Sequence, residues 1–440
     1  MLLQFSIKNF KTFKDKATLS LIASNYDKDT REDENIYTEE KFGIRLLKSA
    51  VIFGANASGK SNLLGALAFM RSFIIDSSKE SQKGEKINVK PFRLSEETEN
   101  GPSEFEVIFL VNQEQYRYGF ETTQQKIISE WLYHKPKTKE IELFYRDGNS
   151  FDTHERNFAK GGTIAKEGFV RDNALLISVA AQFNEKEAIT VVDWFKKTQT
   201  ISGLHEQGYQ GFTLNRIEDL TYKTKILELL KVADLGIQDI KIQKFDVDSL
   251  PIGVPENIKE TIAKKFELKN VEFIDVLTTH RKYDSNKMVI SNVSFSLDDD
   301  ESSGTQKFFA LSGPILDVIE KGRTLIVDEL DSKLHPNLVC KIVSLFNSKE
   351  FNKKNAQLIF NTHDTNLLGS GLFRRDQIWF TNKNKYEEAK LYSLADFKSD
   401  EVRKNEPYED NYIKGKYGAV PFLGFFDNLI NALSQHENEK

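Results

Sequence analysis

The chain has 440 residues, of which 39% are hydrophobic, enough for one large domain or two modest ones. Its 61 Lys and Arg residues against 66 Asp and Glu residues give a net charge of −5, which excludes a global basic field for nucleic acid but not a local basic face. A single cysteine, Cys340, excludes a disulfide framework and a cysteine-based zinc site. Because the sequence has neither a signal-peptide pattern nor an apolar run long enough to span a bilayer, we expect a cytoplasmic protein without a membrane partner.

The first part of the chain predicts strands around a glycine-rich loop. "LLQFSIKNFKTF" alternates apolar and polar residues and predicts a strand. "LKSAVIFGA" predicts a buried strand that enters the glycine-rich loop, and "KSNLLGALAFMRSFII" then has helical periodicity. From Glu104 to Phe151, runs of period two broken by turn residues predict an antiparallel lobe.

The second part of the chain changes its pattern twice. From Glu185 to about Leu268 the periodicity predicts helices, and "KNVEFIDVLTTHRK" and "NKMVISNVSFSL" then predict strands. The last third alternates buried strands, "RTLIVDEL", "QLIFNTH" and "DQIWFTN", with helical segments. This alternation indicates an α/β fold that contains parallel sheet.

The stretch "GANASGKS" fits the phosphate-binding pattern G-x-x-x-x-G-K-[ST], and it lies between a predicted strand and a predicted helix, as that motif requires. Its glycines let backbone N–H groups converge on phosphate oxygens, while the lysine supplies a charge and the serine hydroxyl a ligand for Mg²⁺. We therefore predict binding of ATP with Mg²⁺ at Gly54, Asn56, Ala57, Ser58, Gly59, Lys60, Ser61 and Asn62.

"TLIVDELD" predicts an apolar strand that ends in an acidic pair. Asp328 would lie at the carboxyl edge of the sheet, where its carboxylate can hold Mg²⁺ together with Ser61. Glu329 follows directly and can orient or deprotonate the attacking water. Such a pair is common by itself, and its pairing with the phosphate loop is what makes it informative.

"ESSGTQKFFAL" precedes this strand and predicts a second anion-binding turn. Ser303 and Gly304, at the start of a helix, would present a hydroxyl and bare backbone N–H groups. By itself the stretch is an ordinary turn. Since one site does not need two such elements, we expect two chains to face each other, each placing its Ser303 over the γ-phosphate bound by the other.

"QLIFNTHDTNLL" predicts a strand that ends in His363, which can contact the γ-phosphate and sense hydrolysis. A metal site at His363 and Asp364 lacks further ligands at suitable spacing. Asp331 follows the acidic pair, where a connection between two facing sites would run, and His335-Pro336 is typical of a helix start.

In their order along the chain, the phosphate loop, the Ser-Gly turn, the acidic pair, Asp331 and the histidine resemble those of ABC-type ATPases. "IKNFKTF" and "DELDSKLHP" resemble the SMC/RecF/OLD-like branch. Within that branch, "ESSGTQKFF", "RRDQIWF" and "KGKYGAVPF" resemble the AAA-annotated ATPases of bacterial abortive-infection and anti-phage operons. The chain departs from the transporter pattern at Thr305, where transporters carry a second glycine, and no Q-loop glutamine can be assigned.

The resemblance implies roles for individual residues. Lys60, Glu329 and His363 would be catalytic, Asp328 and Ser61 would hold Mg²⁺, and Ser303, Gly304 and Gln306 would act in trans. It also implies an ABC-type ATPase head with an antiparallel β lobe, divided into residues 1–180, a helical insertion at 181–270, and residues 271–440 with the signature, the acidic pair and the histidine.

Two functions from different classes follow. The first is an ATPase whose ATP-driven homodimer, or a higher assembly, controls a separate effector, a nuclease or toxin, in anti-phage defence. The second is a DNA-maintenance ATPase that clamps DNA, which a clustered basic groove would favour, although the lysines here are dispersed. A nucleotide switch without turnover is disfavoured because Glu329 would then have no task. Since no compact set of carboxylates follows His363, we expect any nuclease activity to come from another polypeptide.

Overall fold

A computed structural model describes residues 1–25, 28–79, 82–233, 235–245, 273–398, 401–403 and 406–421. The last part of the predicted helical stretch, 246–268, and the first residues of "KNVEFIDVLTTHRK" lie outside the described residues, as do residues 422–440 at the end of the predicted third domain. No helix among the described residues is long and apolar enough to cross a membrane.

The described residues form eighteen named strands and eleven helices, besides two short 3-10 helices at Arg375–Gln377 and Leu394–Asp396. The strands are β1 (Leu2–Lys8), β2 (Ala17–Ser20), β3 (Ile36–Glu39), β4 (Ile44–Leu47), β5 (Ser49–Gly54), β6 (Ser103–Val111), β7 (Glu114–Thr122), β8 (Ile127–Lys135), β9 (Ile141–Asp147), β10 (Ser150–Thr153), β11 (Gln199–Ser202), β12 (Asp239–Phe245), β13 (Phe273–Tyr283), β14 (Val289–Ser296), β15 (Thr324–Asp328), β16 (Gln357–Asn361), β17 (Ile378–Lys383) and β18 (Ala389–Ser393). The helices are α1 (Glu32–Asn35), α2 (Lys60–Asp76), α3 (Ala159–Lys166), α4 (Leu176–Gln182), α5 (Lys186–Lys197), α6 (Gln207–Ile217), α7 (Leu220–Val232), α8 (Ser303–Lys321), α9 (Pro336–Asn347), α10 (Asn366–Gly369) and α11 (Tyr408–Ile413).

A six-stranded sheet in the order β11-β15-β16-β5-β17-β18 carries the predicted site. All neighbouring strands in it are parallel except β18, which runs antiparallel to β17. All six residues of β5 and all five residues of β16 are buried, because helices or other sheets cover both faces. The strands β11, β15, β16 and β5 therefore end at the same edge, which brings together the residues that follow them.

The antiparallel lobe is a seven-stranded sheet in the order β10-β9-β8-β7-β6-β1-β2. Its strands β6 to β10 cover the stretch for which period-two runs predict hairpins. One core lies between this lobe, α2, α4, α5 and one face of the central sheet, where Ile52, Ile326 and Ile359 contribute. A second core fills the opposite face, with Phe53, Val327 and the helices α6 to α9. Alternate residues of the parallel strands thus belong to different cores.

The helical prediction for residues 185–268 describes α5, α6 and α7 but misses two strands. Gln199–Ser202 forms β11, which pairs in parallel with β15, and Asp239–Phe245 forms β12 in a separate sheet with β13 and β14. For β11, tertiary pairing with β15 overrides the local pattern, because a strand of four residues is too short to show a period. The predicted boundaries at 181 and 270 stay a prediction.

Helix α8 contains Pro314, and the structure compensates for its missing N–H group. The carbonyl of Ala310, four residues earlier, accepts a 2.6 Å hydrogen bond from the Thr213 hydroxyl of α6. Gly313 permits this approach, since a Cβ there would lie 2.4 Å from Thr213 Oγ1. The contact fixes α6 against the helix that begins at Ser303.

Candidate nucleotide site

The glycine-rich loop connects β5 to α2, as the sequence predicts. Gly54 has a φ of 154°, and a Cβ on it would lie 2.5 Å from the carbonyl oxygen of Thr381. Gly59 has a φ of 115°, and a Cβ there would lie 2.9 Å from Thr12 Oγ1. Since only glycine fits these two positions, the loop keeps a tight backbone that can present N–H groups to an anion.

Lys60 is the first residue of α2 and is only 5% exposed. Its ammonium donates to the carbonyl oxygens of Gly54 at 2.7 Å and Ala55 at 3.1 Å. Burial lowers the pKa of Lys60 to about 8, although the nearby carboxylates of Asp331 and Glu329 oppose this shift. The lysine side chain therefore folds back onto the loop, with backbone carbonyls as its partners.

A cavity of about 350 Å³ lies over the loop. Two residues that follow other strands of the sheet, Glu329 after β15 and His363 after β16, line it. The other lining residues come from the phosphate loop and the start of α2, and are Asn56, Ala57, Ser58, Gly59, Lys60, Ser61 and Asn62. Within the loop, the Ser58 hydroxyl bonds Thr381 Oγ1 at 2.6 Å, and Asn62 donates to Thr12 Oγ1 at 3.0 Å. Glu329 and His363 thus share a cavity with the phosphate loop.

Asn361, which the sequence analysis does not single out, connects the acidic pair to the loop. It is fully buried at the end of β16, and its amide nitrogen donates to Asp328 Oδ1 at 2.5 Å and to Ser61 Oγ at 3.4 Å. Its carbonyl oxygen accepts from the backbone N–H of Glu329 at 2.5 Å. Its position at the end of a buried strand, two residues before His363, is the only sequence signal that could have indicated it.

The two predicted Mg²⁺ ligands, Ser61 and Asp328, are hydrogen-bonded to the same amide nitrogen of Asn361. A hydroxyl and a carboxylate are hard oxygen ligands, which suit Mg²⁺ when phosphate oxygens and water complete the shell. The residues present therefore fit the ion that the sequence predicts. Among the described residues, no group of three or more His, Cys, Asp or Glu side chains could hold a metal alone, so His363 and Asp364 have no third ligand of these types there.

Glu329 has a φ of 56°, in the left-handed region that a non-glycine residue rarely adopts. Gly203, directly after β11, packs against it so closely that a Cβ would lie 2.0 Å from the Glu329 carbonyl oxygen. The N–H of Gly203 donates to the Asp328 carbonyl at 2.6 Å. This contact is not predicted from the sequence, because Gly203 lies within the predicted helical insertion.

His363 lies two residues beyond the end of β16, so the strand ends at Asn361 and not at the histidine as predicted. Its side chain is exposed and lines the cavity, while its backbone N–H donates to Asp331 Oδ2 at 3.0 Å. The other oxygen of Asp331 is buried and has no hydrogen-bond partner among the described residues.

Ser303 and Gly304 begin α8, whose N-cap Ser302 accepts from the Thr305 N–H at 3.2 Å. The Ser303 side chain is exposed, and neither residue lines the cavity over the loop of its own chain. Gln306 turns back and donates to the carbonyls of Asp298 and Glu301 at 3.0 and 3.1 Å. The structure therefore separates these three predicted residues from the cavity that contains Lys60.

Comparison with solved structures finds heads of SMC proteins. An SMC head domain from Thermotoga maritima is 12% identical, with a TM-score of 0.41, and the match covers 89% of this chain and 98% of that one. An Smc head domain from Pyrococcus furiosus, with an extended coiled coil and bound to the C-terminal domain of ScpA, is also 12% identical, with a TM-score of 0.37 and coverages of 89% and 96%. The comparison with curated proteins finds no significant match.

A family model for an ATPase domain matches residues 49–369, which include the phosphate loop, the Ser303-Gly304 turn and the acidic pair. Together with the parallel sheet that carries the loop, this match confirms the predicted fold class of a mixed α/β P-loop ATPase and the predicted resemblance to abortive-infection ATPases. The chain belongs to the family described as "AAA domain, putative AbiEii toxin, Type IV TA system".

Proposed function

We propose that this protein binds ATP with Mg²⁺, hydrolyses it slowly, and through ATP-driven association of two heads controls a separate effector, a nuclease or toxin, in bacterial anti-phage defence. The observation that carries the ATPase part is the cavity in which the phosphate loop, Glu329 and His363 meet. The family's description, which names a toxin and a toxin–antitoxin system, supports the part that concerns the effector.

The binding step uses groups that are already in place. Lys60 leaves the carbonyls of Gly54 and Ala55 for the β- and γ-phosphates, and the backbone N–H groups of the loop surround them. Ser61 and Asp328 would hold Mg²⁺, which would supply charge neutralisation at the phosphate oxygens. Burial disfavours the charged form of Lys60 in the free protein. An anionic ligand would stabilise that charged form and raise the pKa of Lys60 again.

The hydrolytic step depends on orientation. Glu329 directs a water molecule in line with the γ-phosphate, and His363 contacts that phosphate from the other strand end. The backbone of Glu329 is held from two sides, by Asn361 and by Gly203, so its carboxylate starts from a defined position. In this proposal Asn361 is a positioning residue for both members of the acidic pair.

Association of two heads would complete each site. The exposed Ser303 hydroxyl and the N-terminal N–H groups of α8 form a surface that suits a phosphate, and they lie outside their own chain's cavity. In a two-fold dimer the same turn can serve the partner's site. Since the γ-phosphate would then be part of the interface, nucleotide binding and association are thermodynamically linked.

The test is an affinity purification of the tagged Glu329→Gln variant, expressed with its native genomic neighbours, with the bound proteins identified by mass spectrometry. This variant should bind ATP without turnover and hold the closed state, while Lys60→Ala is the open-state control. We expect a nuclease or toxin to copurify in amounts that differ between the two variants. If only the protein itself and DNA are recovered, the protein is a DNA clamp of the RecF type, and the effector proposal is wrong.

A further inference from the structure

Lys307, on the second turn of α8, is fully buried. Its ammonium donates to three backbone carbonyls, those of Glu329 at 3.1 Å, Leu330 at 3.0 Å and Ser332 at 2.5 Å. A lysine is rarely buried without a task, because removing its charge from water is costly. Here burial lowers the pKa of Lys307 to about 8, and the three hydrogen bonds offset part of the cost of removing the ammonium from water.

The three carbonyls belong to the turn that follows β15 and begins with Glu329 itself. Lys307 therefore bonds the carbonyl of Glu329 while Asn361 bonds its N–H, and the two side chains come from different elements. Together they restrain both backbone groups of a residue with a φ of 56°. A backbone in this region persists only where its surroundings hold it, so these bonds restrain the backbone from which the Glu329 side chain projects.

The first turn of α8 also touches the end of this loop. A Cβ on Gly304 would lie 2.8 Å from the Lys333 carbonyl oxygen, so the turn and the loop are in direct backbone contact. Ser303, Gly304 and Lys307 lie on the same helix, so one element carries both the turn and the side chain that bonds the Glu329 carbonyl.

We propose that Lys307 is a positioning residue that holds Glu329 of its own chain, although it lies on the helix whose Ser303-Gly304 turn serves the partner's nucleotide. The inference rests on the proposed two-head site. Its consequence is that a chain without Lys307 loses hydrolysis at its own nucleotide, whereas its Ser303-Gly304 turn still completes the partner's site.

The test uses mixed dimers of inactive variants. In a composite site, Ser303→Arg and Glu329→Gln chains complement each other, because their mixed dimer retains one site with an intact Glu329 and an intact partner Ser303. A 1:1 mixture should recover about a quarter of the wild-type ATPase rate, since half of freely exchanged dimers are mixed and each has one intact site. If this control mixture stays inactive, the two-head site is wrong, and the ATPase rates of the Lys307 variants by themselves then test whether the lysine positions Glu329.

Mixtures that contain the Lys307→Met chain show whether Lys307 acts on Glu329 of its own chain or on the Ser303 turn. If Lys307 acts on Glu329 of its own chain, Lys307→Met complements Ser303→Arg to the level of the control mixture but does not complement Glu329→Gln. If Lys307 only supports the Ser303 turn, the pattern reverses, and the proposal is overturned. Recovery with both partners would also overturn it, because Lys307 would then act independently of either group.

Two further variants keep the result interpretable. Lys321→Met removes a lysine from the same helix whose ammonium pairs with Asp317 instead, and it should keep the wild-type rate. Lys307→Gln retains one donor and should give the same pattern of complementation with a smaller loss of rate. Binding of a fluorescent ATP analogue, expected to be unchanged in all Lys307 variants, shows that the chains are folded. If folded Lys307→Gln and Lys307→Met hydrolyse ATP at the wild-type rate, the lysine does not position Glu329.

Discussion

Replacement of Asn361 by leucine tests how the acidic pair is held. The amide makes two close bonds, to Asp328 Oδ1 and to the Glu329 N–H, each of 2.5 Å, besides a longer one to Ser61. Leucine has a similar volume but can make none of them. A bond to a charged group contributes about 2 kcal/mol and a neutral one about 1 kcal/mol. We therefore expect the free energy of unfolding to fall by about 3 kcal/mol.

The effect on turnover should be separable from this loss of stability. Without the amide, the Glu329 backbone and the Asp328 carboxylate lose their orientation, and a displacement of about 1 Å at a reacting group can cost about 100-fold in rate. We expect kcat to fall between about 10-fold and 100-fold, whereas ATP binding changes little because Lys60 and the loop backbone are untouched. Steady-state phosphate release and equilibrium binding of an ATP analogue measure the two quantities.

Asn347 provides the matched control. It is also a buried asparagine, 4% exposed, and it accepts a 3.1 Å bond from the Ser49 hydroxyl at the opposite end of β5 from the loop. Asn347→Leu should lower the free energy of unfolding but leave kcat unchanged under conditions where the protein is folded. A wild-type kcat in Asn361→Leu, or an equal loss in both variants, would refute the positioning role of Asn361.

Three other perturbations follow from particular contacts. The affinity for ATP should fall as pH rises through about 8, because burial lowers the pKa of Lys60 to about 8 and the ammonium that would pair with phosphate is lost above that pH. An affinity that stays unchanged up to pH 10 would contradict this prediction. Gly203→Ala should reduce kcat more than ATP binding, because its Cβ would lie 2.0 Å from the Glu329 carbonyl oxygen, and an unchanged rate would show that the loop relaxes without cost. Thr213→Val should lower the free energy of unfolding by about 1 to 2 kcal/mol in chemical denaturation, because the Ala310 carbonyl beside Pro314 then loses its donor; a neutral substitution would mean that another group replaces the hydroxyl.

The parts of the site that the sequence predicts are those with a local signal. The phosphate loop has fixed glycines, a lysine and a serine within eight residues, and its strand and helix have clear apolar patterns. The strand that ends in Asp328 has an apolar centre, because both faces of a parallel sheet are covered. The antiparallel lobe is visible because its strands are up to nine residues long and alternate.

The parts that the sequence does not predict depend on contacts between distant residues. Asn361 lies 33 positions after Asp328, and Gly203 reaches Glu329 only because β11 pairs with β15. Four residues are too few to reveal a strand by period, and a parallel pair has no connecting turn to reveal its partner. Lys307 looks like an ordinary charged residue on a helix surface until the packing of α8 shows that it is buried.

The geometry of Glu329 shows why these distant contacts matter for function. A non-glycine residue in the left-handed region costs about 1 kcal/mol or more, so its local sequence alone would favour another conformation. Asn361 is the last residue of β16, Gly203 follows β11, and Lys307 lies on α8, and each contributes one restraint to the backbone of Glu329. The backbone that carries the carboxylate therefore depends on three elements, one of which, α8, begins with the Ser303 turn. A residue held in this way can respond to events at either proposed phosphate-binding element, which is the property that the proposed nucleotide-gated association requires.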